Sequence, residues 1–167
     1  MKRALFVAAL LCLAWPSLAQ AASTPDAPAH FVARCVAITD GDTLRVLYVT
    51  GETKSEIKIR LYGIDAPEKS QAFGTQAKQA LSALAFGKDL TVYSKGRDRY
   101  GRLLAWLFVG STPINAAMVK SGAAWWYRKY APQEKKLADL EADARKNRRG
   151  LWIDPAPVAP WDYRKKK

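Results

Sequence analysis

The sequence predicts an α+β fold, a small closed barrel of five strands carrying three helices, on three observations. Residues 31–63 read as three short strands rich in β-branched and aromatic residues, residues 75–86 switch to helical spacing, and two further strands precede a helical C-terminal third. Three strands, a helix and two strands is the order of the five-stranded Greek-key barrel called the OB-fold, whose faces often hold nucleic acid.

The elements follow in order. "FVARCVAI" (31–38) and "TLRVLYV" (43–49) are strands joined by "TDGD", and Asp-Gly between two such runs signals a hairpin. "SEIKIRLYG" (55–63) alternates, placing Ile57, Ile59 and Leu61 on a core face and Lys58, Arg60 and Tyr62 on the other. Over residues 75–86, Ala77, Ala80, Leu81 and Leu84 recur at helical spacing, and Gly87 is placed to end the helix. "DLTVYS" (89–94) and "RLLAWLFV" (102–109) flank the polar "KGRDRYG"; the second is apolar on both faces, as expected of a central strand.

"PINAAMVKSG" (113–122) opens with proline and closes with glycine, the asymmetry of a short helix. "APQEKKLADLEADARKNRRG" (131–150) repeats this at greater length, with Leu137, Leu140 and Ala144 on one stripe and solvated charge elsewhere. Trp106, Trp125, Trp126 and Trp152 are expected to pack in the core or against helices. Residues 154–167, "DPAPVAPWDYRKKK", hold too much proline and too little periodicity for an element and read as a mobile, Pro-rich basic tail. Its "RKKK" is expected to be a solvated end adding nonspecific phosphate affinity.

The first residues read as a secretory signal peptide, residues 1–21: Lys2 and Arg3, an apolar core broken by Pro16, then the small-residue site "AQA". The apolar run is shorter than the ~20 residues a spanning helix needs. The expected mature protein begins near Ala22, has a flexible N-terminus over 22–30 and one domain over 31–153, and is secreted or periplasmic. It meets a membrane only transiently, through the signal peptide. Cleavage removes two basic residues and no acidic one, so the net charge of +12 falls to +10. Cys12 leaves with the peptide, so Cys35 has no intramolecular disulfide partner and is expected to be a buried, inert thiol. Such a charge either keeps the protein soluble by self-repulsion or draws it to polyanions, nucleic acid or anionic lipid.

Three polar clusters sit at predicted strand ends: "DGDT" (40–43), "RLYGIDAPE" (60–68) and "DRYGR" (98–102). Together "ITDGDTLRV", "IRLYGIDAPE", "DRYGRLLAWLFV" and "LADLEADARKNRRGLW", in that order over residues 31–152, resemble the staphylococcal nuclease (thermonuclease) family. The resemblance implies an OB-fold barrel with three helices and a Ca²⁺-dependent phosphodiesterase. Such an enzyme cuts DNA and RNA with little sequence preference and leaves 3′-phosphate ends. It implies metal carboxylates at Asp42 and Asp65, with the backbone carbonyl of Ala66 where the family carries a threonine. It implies phosphate-binding arginines at Arg60 and Arg102, and a catalytic glutamate at Glu68. Arg99 stands where a lysine is familiar and is implied to contact a flanking phosphate. Tyr100 and Tyr127 are substrate-binding candidates, with the choice of base-stacking ring left open among Tyr100, Tyr127 and Tyr130. A monomer without a stable protein partner is expected.

The residue types suit that chemistry on their own terms. Water attacking a phosphodiester builds negative charge on the equatorial oxygens, and arginine forks are suited to meet it. Oxygen-only ligands favour Ca²⁺, with Mg²⁺ geometrically more demanding. Zinc is disfavoured, because the mature chain holds one histidine, His30 at the processed N-terminus, and one cysteine. The same scarcity removes a Ser-His-Asp or Cys-His catalyst and leaves Glu68 as proton acceptor or water orienter. On a bland reading Asp40, Gly41 and Asp42 are only turn residues, and Arg60 and Arg102 only surface charges. The competing function is a catalytically inactive OB-fold nucleic-acid-binding module, which would need the arginines but not Asp42, Asp65 and Glu68. A cell-surface adhesion or lipid-binding protein rests on charge and export alone.

Overall fold

In a computed structural model describing residues 28–166, the chain runs β1 (His30–Ile38), β2 (Thr43–Thr50), β3 (Thr53–Leu61), β4 (Ile64–Asp65), α1 (Gly74–Ala85), β5 (Asp89–Arg97), β6 (Leu103–Val109), β7 (Thr112–Pro113), α2 (Ile114–Lys120), β8 (Trp125–Trp126), α3 (Lys135–Lys146) and α4 (Pro160–Tyr163). Strands β3, β2, β1, β5 and β6 are hydrogen-bonded in that order, and a parallel β3–β6 pairing closes the ring. The expected five-stranded barrel is present, since each long strand has a neighbour on both sides and no edge is left among them.

Alternation fills the barrel. Leu44, Val46, Ile59, Leu61, Leu90, Val92, Ala105 and Leu107 point inward and are fully buried or nearly so. Leu81 of α1, Met118 of α2 and Leu137 of α3 extend the same cluster, each burial contributing roughly 1.5–3 kcal/mol. The predicted alternation of β3 holds, with Ile59 and Leu61 buried and Arg60 turned outward. Cys35 is a buried free thiol whose pKa is raised by burial.

β6 departs from its expectation. Leu103, Ala105 and Leu107 are buried, but Leu104, Trp106 and Phe108 are only half-buried. A closed barrel has one interior, so a strand flanked on both sides still shows its second face to the outside.

The three predicted helices form, and a second cluster lies beneath the last of them. Trp125, Ala144, Leu151, Trp152 and Ala159 are buried there, with Trp125 and Trp152 at 4.3 Å and the Arg145 guanidinium 3.7 Å over Trp152. Trp106 and Trp126 pack partly buried against the main core, as expected. α3 begins later than its sequence pattern suggests, because residues 131–134 form a turn held by Trp126, whose Nε1 donates to Ala131 O at 3.0 Å.

The C-terminal tail is the main correction. Residues 154–167 read as lacking any element, yet α4 forms, with proline in its first turn, and a 3₁₀ turn, Arg164–Lys166, continues it. Trp161 packs against the second cluster, and that burial supplies what periodicity does not. The expected signal peptide, residues 1–21, lies outside the described residues. Of the expected N-terminal segment, residues 28 and 29 are described and His30 already opens β1.

Candidate active site

β3 is the platform. Its register sets Thr43 of β2 opposite Arg60 on one side and Leu104 of β6 opposite it on the other. The chain then turns through Gly63 into β4, which pairs with β8 as Ile64↔Trp126 and Asp65↔Trp125. Buried Asn115 fixes that exit: its Nδ2 donates to Tyr62 O at 2.9 Å and Ala105 O at 3.0 Å, and its Oδ1 accepts Leu107 N–H at 3.0 Å. A buried amide satisfied on both ends holds β3 and β6 in one relative position.

Asp42 reaches the same point from the β1–β2 loop. Its carbonyl accepts Leu61 N–H at 2.8 Å, and its carboxylate accepts Thr43 Oγ1–H at 2.9 Å and Ala66 N–H at 2.9 Å. Gly41 makes this approach possible. A Cβ there would lie 2.7 Å from the Cβ atoms of both Ala66 and Ala77, closer than side chains approach.

The two carboxylates converge on one guanidinium. Arg60 donates to Asp42 Oδ1 and to Asp65 Oδ1, each at 2.6 Å. Asp42 is 3% and Asp65 0% exposed, so Arg60 is the charged partner that both meet in a dry setting. Burial works against the charge on Arg60, but Asp42 and Asp65 outweigh it and raise its pKa. Burial raises Asp65 in turn, opposed by a hydrogen bond from Arg164 and reinforced by the charge of Asp42. Asp40, whose carboxylate accepts Asp42 N–H at 3.2 Å, is pushed up to about 6 by burial and then by Asp42.

Glu68 follows three residues after Asp65, in the irregular stretch before α1, and is half exposed. Its N–H donates to Gln71 Oε1 at 3.1 Å, its carbonyl accepts Gln71 N–H at 2.9 Å, and Gln71 O accepts Gly74 N–H at 3.0 Å. Any Cβ on Gly74 would strike the Glu68 carbonyl. The start of α1 therefore abuts Glu68 only because that residue is glycine.

Arg102 stands just before β6. Because Leu104 is the partner of Arg60 and side chains alternate, Arg102 lies on the same outer face, two residues along. Asp98 holds it, accepting from its Nε at 2.7 Å and from the Arg102 and Tyr100 N–H groups at 3.0 and 2.9 Å. Burial opposes the Asp98 carboxylate, yet these donors lower its pKa. Arg99 donates to the Tyr100 hydroxyl at 2.6 Å and lies over the same ring, so Arg99, Tyr100 and Arg102 form one exposed basic-aromatic turn. Tyr127 sits at the carboxylates: burial, then the charge of Asp65, raises its phenol pKa. Tyr130 packs edge-on to Tyr127 at 4.7 Å and is largely exposed.

The structure thus gathers Asp42, Asp65, Ala66, Arg60, Glu68 and Tyr127, with Arg99, Tyr100 and Arg102 on the adjoining turn. Sequence reasoning missed three contributors. Thr43 lies in the "DGDT" cluster but is assigned no role there, and Asn115 carries no motif; both are buried supports. Arg164, read as part of a solvated tail, donates to Asp65 and Glu68. The one signal for it was the pair of aromatics, Trp161 and Tyr163, just before the basic run.

Residues 58–154 match the staphylococcal nuclease homologue family. The chain belongs to the staphylococcal nuclease family. Among curated relatives it is 42% identical over 147 residues to "Micrococcal nuclease" of Shigella flexneri, covering 82% of each chain. It is 37% identical over 159 residues to an "Uncharacterized endonuclease" of Escherichia coli, covering 95% of each. A Haemophilus influenzae "Uncharacterized endonuclease" is 45% identical over 134 residues, covering 80% of this chain and 73% of that one. As a member of the staphylococcal nuclease family the protein is a phosphodiester-hydrolysing nuclease, and nucleic acid is its substrate.

The donor set fits a hard divalent cation. Among the described residues no group of three His, Cys, Asp or Glu side chains is placed so that it could hold a metal ion by itself. The candidate ligands are instead two buried carboxylates and a neighbouring backbone carbonyl, oxygen throughout. The contacts set Asp40, Asp42, Asp65 and Glu68 against Arg60 and Arg164, an excess of acid that a divalent cation would balance.

Proposed function

We propose that this nuclease is exported and Ca²⁺-dependent, cleaves DNA and RNA without discriminating the sugar, leaves 3′-phosphate ends, and works as a monomer. The supporting observation is the convergence of buried Asp42 and Asp65 on Arg60, with Glu68 beside them. A binding module has no need of such a carboxylate pair, whose burial costs several kcal/mol per ion unless compensated.

Asp42, Asp65 and the carbonyl of Ala66 would hold the cation, which would supply Lewis-acid polarisation of the phosphate. Glu68 accepts a proton from the attacking water, or orients it, as oxygen adds to phosphorus. The P–O5′ bond then breaks, leaving the phosphate on the 3′ side, and the departing O5′ takes a proton from solvent to become a hydroxyl. Arg60 uses two donors on the carboxylates and keeps the rest of its roughly five N–H groups for phosphate oxygens. Arg102, braced by Asp98, meets the same developing charge from the next strand. Arg99 and Tyr100 engage the flanking strand, and Tyr127 offers a face to a base.

The test is the exported protein with labelled single-stranded DNA and RNA, in Ca²⁺, in Mg²⁺ and in chelator, with 3′ ends probed by phosphatase. Cleavage of both polymers in Ca²⁺, lost in chelator and leaving phosphatase-sensitive ends, is expected. Cleavage undiminished by chelator removes the metal, and binding without cleavage under every condition favours the inactive module. Intact mass of the exported species should place its first residue near Ala22; a species retaining residues 1–21 overturns that processing.

A further inference from the structure

The reaction above makes no use of the C-terminal segment, which ends on its carboxylates. Beyond Pro155 and Pro157 the chain crosses back over the molecule and is tethered at Gln71 and at Ser70. Gln71 Nε2 donates to Val158 O at 2.6 Å, and the Tyr163 hydroxyl donates to Ser70 O at 2.9 Å. Trp161 then lies flat on Tyr127, ring centres 5.2 Å apart and planes within 6°. Arg164 completes the path. Its NH2 donates to Asp65 Oδ2 at 2.7 Å, and its NH1 donates to Glu68 Oε1 at 2.7 Å and to Asp65 Oδ1 at 3.3 Å. One guanidinium holds a candidate metal ligand and the candidate proton acceptor together, while an indole covers a candidate base-stacking ring.

We propose that residues 158–166 form a strap that keeps the nuclease latent, with Arg164 competing against the divalent cation for Asp65 and against the water for Glu68. This rests on the reading of Asp65 as a ligand and Glu68 as proton acceptor. The competition follows from lone pairs. Arg164 engages both oxygens of Asp65, and Arg60 already shares Oδ1, so a cation entering at Asp65 must take oxygen electron density that Arg164 now holds. A base seated on the face of Tyr127 that Trp161 covers must likewise displace Trp161.

The strap is built to leave. Its helix has four residues, too short to stand alone, and the Arg164 side chain is 39% exposed against 0% for Asp65. Val158 and Tyr163 of the segment line one part of an apolar cleft of about 520 Å³, with Pro67, Phe73 and Trp125 lining another, so space is left beside the segment. Its last turn, Arg164, Lys165 and Lys166, carries three positive charges that a nucleic-acid backbone can take up in place of the carboxylates. Cation and substrate thus both favour the open strap, and each helps the other bind.

Calorimetric titration of the full-length exported protein with Ca²⁺, without nucleic acid, tests this against Arg164→Gln and Arg164→Ala. A strap docked about nine-tenths of the time weakens apparent Ca²⁺ affinity about tenfold, so both variants should bind Ca²⁺ about tenfold more tightly. Trypsin cleavage at Arg164 and Lys165 of the unsubstituted protein should also quicken as Ca²⁺ is added. Unchanged or weaker Ca²⁺ binding in either variant overturns the strap, as does a trypsin rate indifferent to Ca²⁺. If both variants tighten Ca²⁺ binding while cleavage proves independent of Ca²⁺, the strap stands as a gate on a cation site. The calcium-dependent mechanism alone then fails.

Discussion

The carboxylate of Asp42 accepts the backbone N–H of Ala66 at 2.9 Å, which pins the β1–β2 loop to the segment leaving β3. Thr43 Oγ1 donates to the other oxygen of Asp42 at 2.9 Å, and Thr43 is fully buried. Thr43→Val keeps shape and removes the hydroxyl, so it should reorient Asp42 without unfolding the barrel. Losing such a supporting bond lowers metal affinity about 10- to 100-fold. Asp42→Ala, which deletes the ligand, should cost more. Calorimetric Ca²⁺ titration ranks the two, and equal affinities in Thr43→Val and the parent would remove Thr43 from the site.

Arg60 spans two carboxylates with two separate nitrogens, a task an ammonium cannot perform in one geometry. Arg60→Lys should therefore lower single-turnover cleavage by at least ~10-fold, a loss of roughly 1.4 kcal/mol in transition-state stabilisation. Arg102→Lys should lose a similar amount, because Asp98 braces Arg102 through Nε as well as NH2. Near-parental rates in both variants would return them to surface charges.

Glu68→Gln keeps the size of the side chain and removes its basicity. Cleavage should fall by about 10² to 10⁴, while oligonucleotide affinity falls far less, since the arginines and the basic surface remain. Single-turnover rates beside equilibrium binding separate these effects. A variant that cuts as fast as the parent would leave the nuclease intact and dismiss Glu68 from its role.

Gly41→Ala tests the packing that delivers Asp42. The added methyl would meet Ala66 and Ala77 at 2.7 Å, with backbone of α1 close behind at 3.3 Å. Overpacking of this kind costs about 1–3 kcal/mol. The denaturation midpoint should fall without a change in slope, and an unchanged midpoint would show that the loop yields at no cost.

The alternation of "SEIKIRLYG" and the helical spacing over residues 75–86 determined the barrel and its helices, and the ordered motifs around Asp42, Arg60, Asp65, Glu68 and Arg102 pointed, by resemblance, to the residues of the candidate site. Short-range periodicity and turn chemistry are written in neighbouring residues, so one chain read in order suffices for them. The tertiary structure alone decided which groups meet across distance. Barrel closure brought Leu104 beside Arg60, buried Asn115 locked β3 to β6, and the tail returned to lay Trp161 on Tyr127 and Arg164 on Asp65. Residues 154–167 looked structureless because α4 has no periodicity to announce it. Its stability comes from an indole packing on distant rings and a guanidinium finding the buried Asp65 and the half-exposed Glu68, partners that only the folded barrel assembles.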